Sequence, residues 1–89
     1  MNKVQRLEAW CLAMSKQEEG PKSNAYNDCS IALSCASNTQ QAIRGFKKHI
    51  RYQEDRLTQG KIQDCFVESY MLQVEAYKEV LKKLQRDVV

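Results

Sequence analysis

Four cysteines and one histidine are the side chains of this 89-residue chain best suited to nucleophilic or metal chemistry. A Cys–His nucleophilic pair would need His49 close to Cys35 or Cys65, but no neighbouring residue marks either thiol as activated. Three of the thiols, Cys11, Cys29 and Cys65, fall at helical core spacing, where thiols behave as small buried hydrophobes. Because the short paired spacing of zinc sites does not occur, the sequence predicts four free thiols and no structural metal.

Two acidic pairs in the C-terminal part of the chain lie at helical spacing, as magnesium ligands can. They are Asp64 with Glu68, and Glu75 with Glu79. Nearby lysines give these carboxylates an ordinary role in surface ion pairs: Lys61, Lys78, Lys82 and Lys83. The sequence also lacks a glycine-rich phosphate loop. It therefore predicts a protein that is not an enzyme, with no catalytic residues, no metal and no cofactor.

A group of cations, which we call the basic cluster, occupies the middle of the chain: Arg44, Lys47, Lys48 and Arg51, with Tyr52 beside them. Arg44, Lys48 and Arg51 share one flank of a helix, so they can contact the phosphates of a nucleic acid or nucleotide, or an acidic patch on a protein. The formal net charge is only +3. Such weak basicity is unusual for a dedicated nucleic-acid binder, so an acidic protein partner or a solvated face is favoured.

The residues before the basic cluster are nearly free of charge, since Asp28 is the single formal charge between residues 24 and 43. On a helix through this stretch, the side opposite the apolar stripe carries what we call the small-residue face: Ser30, Ser34, Ser37, Gln41 and Gly45. Depletion of lysine and glutamate is a feature of interface cores. The sequence therefore predicts a partner or ligand interface here, with a plain solvated face as the alternative.

Apolar periodicity predicts a helix at each end of the chain. The first covers residues 2–18, where apolar side chains recur at spacings of three and four, and it stops before Gly20 and Pro21. The last covers residues 61–87, and Gly60 suits the left-handed conformation between helices.

The middle of the chain admits two interpretations. An apolar stripe that includes Ala32, Ala36, Ile43 and Phe46 keeps its phase, which favours one long helix over residues 23–58. Against continuity, Asn38 and Gln41 resemble a capping box, which would break the helix near residues 37–39. A break there would also permit a degenerate helix-turn-helix DNA binder, although Ala36 stands where the turn commonly holds glycine.

These elements predict an all-α fold in which a short N-terminal helix packs on an antiparallel pair of longer helices, as a three-helix bundle or helical hairpin. Three aromatic rings are expected to anchor the packing: Trp10, Phe46 and Phe66. Three hydroxyls at the stripe edges are expected to stay in water: Tyr26, Tyr70 and Tyr77. A single domain over residues 1–89 has a marginal core, so self-association into a homodimer or higher oligomer is expected.

The sequence contains no apolar run that would span a membrane or serve as a signal peptide, so we expect a cytoplasmic protein without membrane contact. The leading hypothesis is a non-enzymatic helical binding protein that regulates or inhibits a partner macromolecule by occluding its surface. Small helical proteins of this kind are common among phage and mobile-element products. The alternative is nucleic-acid or nucleotide binding through the basic cluster, and a thiol-dependent enzyme or redox switch is a further one.

Overall fold

The computed structural model describes residues 2–86, which form four α-helices and no strand. Their bounds are Lys3–Gln17 for α1, Pro21–Cys35 for α2, Thr39–Thr58 for α3 and Asp64–Arg86 for α4. The prediction of an all-α fold is confirmed. The helix predicted to end at residue 87 reaches Arg86, and residue 87 itself lies outside the described residues. Within residues 2–86, no helix combines the length and apolar character needed to cross a membrane.

Local signals in the sequence account for most of the helix boundaries. Asn2 caps α1, where its side chain accepts a hydrogen bond from the Gln5 backbone N–H and the Gln5 side chain accepts one from the Asn2 backbone. Gly20 precedes α2 with φ of 70°, and Pro21 starts the helix, where its missing N–H costs nothing. Gly60, with φ of 68°, allows the turn between α3 and α4.

The single long helix predicted for residues 23–58 is wrong, because α2 and α3 are separate helices. Asn38 caps α3, and its side chain accepts a hydrogen bond from the backbone N–H of Gln41 at 2.8 Å. The Gln41 side chain in turn accepts a hydrogen bond from the backbone N–H of Ser37. Capping at Asn38 therefore breaks the helix where the alternative interpretation put the break.

We expect Asn38→Ala to lower the free energy of unfolding by about 1 kcal/mol, because the backbone N–H of Gln41 in the first turn of α3 loses its acceptor. Asn38→Asp is the matched control, since aspartate is also a strong N-cap and its charge suits the positive end of the helix dipole. Urea unfolding of the two variants measures the difference. Equal or higher stability of Asn38→Ala would show that the chain prefers a continuous helix here.

The four helices do not pack as an evenly filled bundle. α1 packs on α2 and α4, and both α2 and α3 pack on α4, but α2 and α3 make few contacts with each other. α2 and α4 run in the same direction, because Lys22 Nζ lies 3.7 Å from Glu75 Oε2 and, one turn later, Tyr26 Oη donates to Glu79 Oε2 at 2.6 Å. α3 is thus held mainly by α4, and the side of α3 that faces α2 stays open.

The core draws on all four helices, with Leu33, Val80 and Leu84 among its most buried members. Trp10 packs edge-on against Tyr26 with ring centroids 5.6 Å apart, and Phe46 is buried beside Tyr77.

Three predictions about aromatic residues need correction. Phe66 is 53% exposed and does not anchor the packing, because it lies in the first turn of α4, at the edge of the helix contacts. The hydroxyls of Tyr26 and Tyr77 do not stay in water, since both rings are buried and both hydroxyls meet carboxylates of another helix.

Candidate functional site

A trough lies between α2 and α3, and α4 forms its floor. It has two widened parts, which we call the inner and the outer compartment. The inner compartment, of about 440 Å³, lies next to the turn that joins α2 to α3. The outer compartment, of about 550 Å³, lies at the other end of α2 and α3, over the first half of α4. The trough exists because α2 and α3 diverge from the turn while each packs on α4.

Small side chains form the walls of the inner compartment. Ala32 and Ala36 line it from α2, and Gly45 lines it from α3. A Cβ atom added to Gly45 would meet no atom within 4 Å, so the space beside this glycine is open. Phe46 from α3 and Tyr77 from α4 add aromatic rings to the lining. The backbone of a ligand segment can therefore come close to both walls while its side chains contact aromatic rings.

Asp28, Tyr77 and His49 form a row of three side chains across the trough, joined by two contacts. Tyr77 Oη donates to Asp28 Oδ2 at 3.4 Å on the α2 side, and the Tyr77 ring lies edge-on to His49 on the α3 side, with centroids 4.6 Å apart. Burial, and then the negative charge of Asp28, raise the pKa of Tyr77 well above its ordinary value. At neutral pH, Tyr77 is therefore a neutral hydrogen-bond donor, held between the two walls.

The outer compartment is lined by uncharged side chains: Asn24, Gln53, Ser69, Tyr70 and Gln73, together with Gly20, Pro21 and Phe66. Gln53 is 5% exposed, and its Oε1 atom is buried without a hydrogen-bond partner. An unpaired buried carbonyl costs about 1–3 kcal/mol, so this amide lowers the stability of the fold. The sequence showed Gln53 only as a polar interruption of an apolar stripe.

The small-residue face predicted from the sequence is divided in the structure. Ser30 is only 4% exposed and donates to the backbone carbonyl of Asn27, so it cannot contact a partner. Ser34 and Ser37 line a separate depression on the α1 side of α2. Only Gln41 and Gly45 line the inner compartment. The predicted continuous face required one helix, and the break at Asn38 turns its two halves in different directions.

The basic cluster is exposed along α3, as its charge leads one to expect. Neither of the two ion pairs within residues 2–86 uses Arg44, Lys47, Lys48 or Arg51. Lys48 follows Gly45 by three residues, so it lies on the rim of the trough, whereas Lys47 points further round the helix. The cluster therefore offers free positive charge along one wall.

Tyr52 lies two turns after Gly45 on the same side of α3. Its hydroxyl accepts a hydrogen bond from Arg56 Nη1 at 2.9 Å, and the guanidinium carbon lies 5.6 Å from the centre of its ring. This hydrogen bond is the main reason that the pKa of Arg56 is raised. One part of the exposed Tyr52 ring is thus already occupied by a cation.

The cysteines divide into two classes, all four without a disulfide. Cys11 and Cys29 are buried where α1 meets α2, and the hydrogen bond that the Cys29 thiol makes to Cys11, together with burial, raises the pKa of Cys29. Cys35 and Cys65 are exposed, so the prediction that Cys65 is a buried core thiol is wrong. Cys35 and His49 both line the inner compartment, but no hydrogen bond joins these two described residues. No group of three potential metal ligands comes together in the part of the chain that the structure describes.

We expect a thiol reagent to modify Cys35 and Cys65 rapidly in the native protein, and Cys11 and Cys29 only after unfolding. Mass spectrometry of alkylated peptides with and without urea measures this order. Rapid native modification of Cys29 would contradict the packing of α1 on α2. Cys35 can then serve as a reporter for the inner compartment, with Cys65 as an exposed reference outside it.

Sequence reasoning did not assign Asp28, His49, Tyr77 or Gln53 to a common site. Asp28 and Ala32 are one turn apart, as are Gly45, His49 and Gln53, so helical spacing alone placed them on common faces. What the sequence did not show is that these faces of α2 and α3 meet over α4.

Comparison with protein-family models, with curated proteins and with solved structures finds no match for this chain.

Proposed function

We propose that this chain is a non-enzymatic binding protein that regulates or inhibits a partner protein by occupying part of its surface. The observation that supports this function is the inner compartment of the trough. It is open because α2 and α3 pack on α4 but hardly on each other. Its occupant is an amphipathic helix of the partner. Docking of this kind places the apolar side of a helix in an apolar groove.

The dimensions of the inner compartment suit a short helical segment. Along α3 it extends from Gln41 to His49, a length of about 12 Å at the usual rise per residue, or roughly two helical turns. Alanine and glycine on the walls permit close approach of another backbone, while Phe46 and Tyr77 offer aromatic contact below.

The charge beside the trough indicates which helix fits. The basic cluster lies on α3 without ion-pair partners among the described residues, and Lys48 is on the rim. An acidic residue on the flank of the partner helix would meet Lys48 as the apolar side enters the trough. Such complementary charge accelerates association and selects orientation more than it raises affinity. The partner segment is therefore an acidic amphipathic helix.

Gly45→Leu tests this function, because leucine fills the open space beside Gly45. It should also stabilise α3 by about 0.5–1 kcal/mol, since leucine is a better helix former than glycine. Loss of binding could then not be attributed to unfolding. Ser34→Arg is the matched control, because Ser34 is exposed outside the trough. We expect affinity capture to recover the partner with wild type and Ser34→Arg, and not with Gly45→Leu.

The bound partner should also protect Cys35 from alkylation and leave Cys65 reactive. Recovery of the same partner by Gly45→Leu, with Cys35 still reactive in the complex, would overturn the trough as the binding site. A second copy of this chain is the other protein that could fill the trough, and light scattering of the free protein tests for it. A dimer that Gly45→Leu converts to a monomer would assign the trough to self-association.

Nucleic-acid or nucleotide binding is the second candidate function, favoured by the unpaired charge of the basic cluster. α2 and α3 are joined by a three-residue connection, as in a helix-turn-helix, but they barely contact each other. Lys48→Glu should abolish phosphate binding, and affinity should fall steeply between about 50 mM and 200 mM salt. Affinity that is constant over this range would exclude phosphate contacts.

A further inference from the structure

The outer compartment has the size of a small-molecule site and an uncharged lining. Its volume of about 550 Å³ is within the range usual for ligand pockets. Three of its side chains are amides, Asn24, Gln53 and Gln73, and each amide presents both a donor and an acceptor. No lysine, arginine, aspartate or glutamate lines it. A ligand that fits these walls is neutral and has several hydrogen-bonding atoms.

Gln53 supplies the second observation that points to a ligand. The side chain is 5% exposed and lines the compartment, yet its Oε1 atom has no hydrogen-bond partner. Buried amides are almost always satisfied, and an unsatisfied one needs an explanation. Rotation of the amide would present this carbonyl to a ligand that brings a hydrogen-bond donor into the compartment.

The outer compartment is also lined by an aromatic side chain, Phe66, that remains exposed to solvent. Phe66, in the first turn of α4, is 53% exposed. Tyr70 lines the compartment one turn later. An exposed ring next to hydrogen-bonding amides is the arrangement that holds a planar heterocycle, with stacking on one face and hydrogen bonds at the edge.

We propose that the outer compartment binds an uncharged nitrogen heterocycle of the nucleobase class, which stacks on Phe66 and forms hydrogen bonds with Gln53 and Gln73. Asparagine and glutamine recognise nucleobase edges through paired donors and acceptors. Because no cation lines the compartment, it holds the base and not a phosphate. The base can belong to a free nucleoside or to a single strand. This site is separate from the inner compartment and is independent of the partner helix proposed there.

Titration of the isotopically labelled protein with adenosine and uridine, followed by amide NMR shifts, tests this site. We expect saturable shifts around Gln53, Phe66 and Gln73 at nucleoside concentrations below about 5 mM, a range that covers weak small-ligand affinities. A short single-stranded oligonucleotide forms the second arm. Tighter binding of the oligonucleotide at the same residues would assign the base to a strand, and equal or weaker binding would assign it to a free nucleoside.

Two variants should weaken nucleoside binding about tenfold or more without unfolding the chain: Gln53→Leu, which removes the edge contact, and Phe66→Ala, which removes the stacking surface. Gln53→Leu should not lower Tm, because it also removes an unsatisfied buried carbonyl. Met71→Ala, on an exposed residue of α4 outside the compartment, is the control and should bind as wild type does.

Three results would overturn the proposal. The first is the absence of saturable shifts with either nucleoside, and the second is binding that both variants retain in full. The third is equal binding of an uncharged dipeptide amide, which would assign the compartment to peptide groups. Gly45→Leu should leave nucleoside binding unchanged, so failure of this site and failure of the partner-helix site are distinguishable.

Discussion

Leu33→Ala should lower the free energy of unfolding by about 3 kcal/mol, which is a large part of the stability of a domain of this size. Leu33 is 1% exposed and belongs to the core cluster that holds α2 against its neighbours. The substitution removes buried apolar surface and leaves a cavity that a close-packed interior only partly refills. The expected fall in Tm exceeds about 10 °C, and urea and thermal unfolding both measure it.

Leu12→Ala is the matched control, because it makes the same chemical change on the same helical hairpin. Leu12 is 42% exposed, so much of its surface is in water before and after unfolding. We expect a loss below about 1 kcal/mol. Equal losses from the two variants would show that Leu33 is not packed in the core. The arrangement of α2 that opens the trough toward α3 would then be wrong.

Alkaline pH should destabilise the protein from about pH 10 upward, because two buried tyrosines must stay protonated in the folded state. Burial, and then the hydrogen bond to Glu79, raise the pKa of Tyr26 above its ordinary value of 10.0. Burial, and then the charge of Asp28, raise that of Tyr77 from the same value. Once the pH exceeds 10.0, the unfolded chain loses protons that the folded chain keeps, so each further unit favours unfolding.

This stability is complete below the pKa of the unfolded tyrosines and is lost as the pH rises through the pKa of the folded ones. Each tyrosine contributes a slope of up to about 1.4 kcal/mol per pH unit. Urea midpoints measured from about pH 8 to about pH 11 report the slope. Tyr26→Phe should lower stability at neutral pH, because Glu79 loses its donor, and should flatten the alkaline slope.

Tyr52→Phe is the control for that slope, since Tyr52 is exposed and belongs to the surface of α3. A slope that Tyr26→Phe leaves unchanged would contradict the burial of its hydroxyl against Glu79. The result also bears on the trough. Tyr77 obeys the same linkage, and its neutral hydroxyl joins α4 to Asp28 on the α2 wall.

The helices at both ends of the chain could be predicted from the sequence because their signals are local. The stop at Gly20 and Pro21 and the turn at Gly60 depend on backbone conformations that glycine and proline favour wherever they occur. The apolar side of α4 likewise follows from spacing alone, and Val80 and Leu84 are buried as their spacing indicates.

The middle of the chain was mispredicted because alanine is a poor indicator of burial. The stripe ran through Ala32 and Ala36, whereas the structure buries Leu33 and leaves Ala32 exposed on the trough wall. At about 100 degrees per residue, placing Leu33 on the stripe in place of Ala32 shifts its phase by more than a quarter of a turn. That shift, together with the cap at Asn38, is the signal of a break.

By itself the sequence determined the helical class, most of the helix ends and the exposed basic cluster, because each follows from residue type and local spacing. Only the tertiary structure decided that Ser30 is buried, that Gly45 faces open space and that Gln53 lacks a partner. The reason is that these properties depend on which helices pack together. α4 holds both α2 and α3 and thereby keeps them apart, and no local pattern in either helix records that separation.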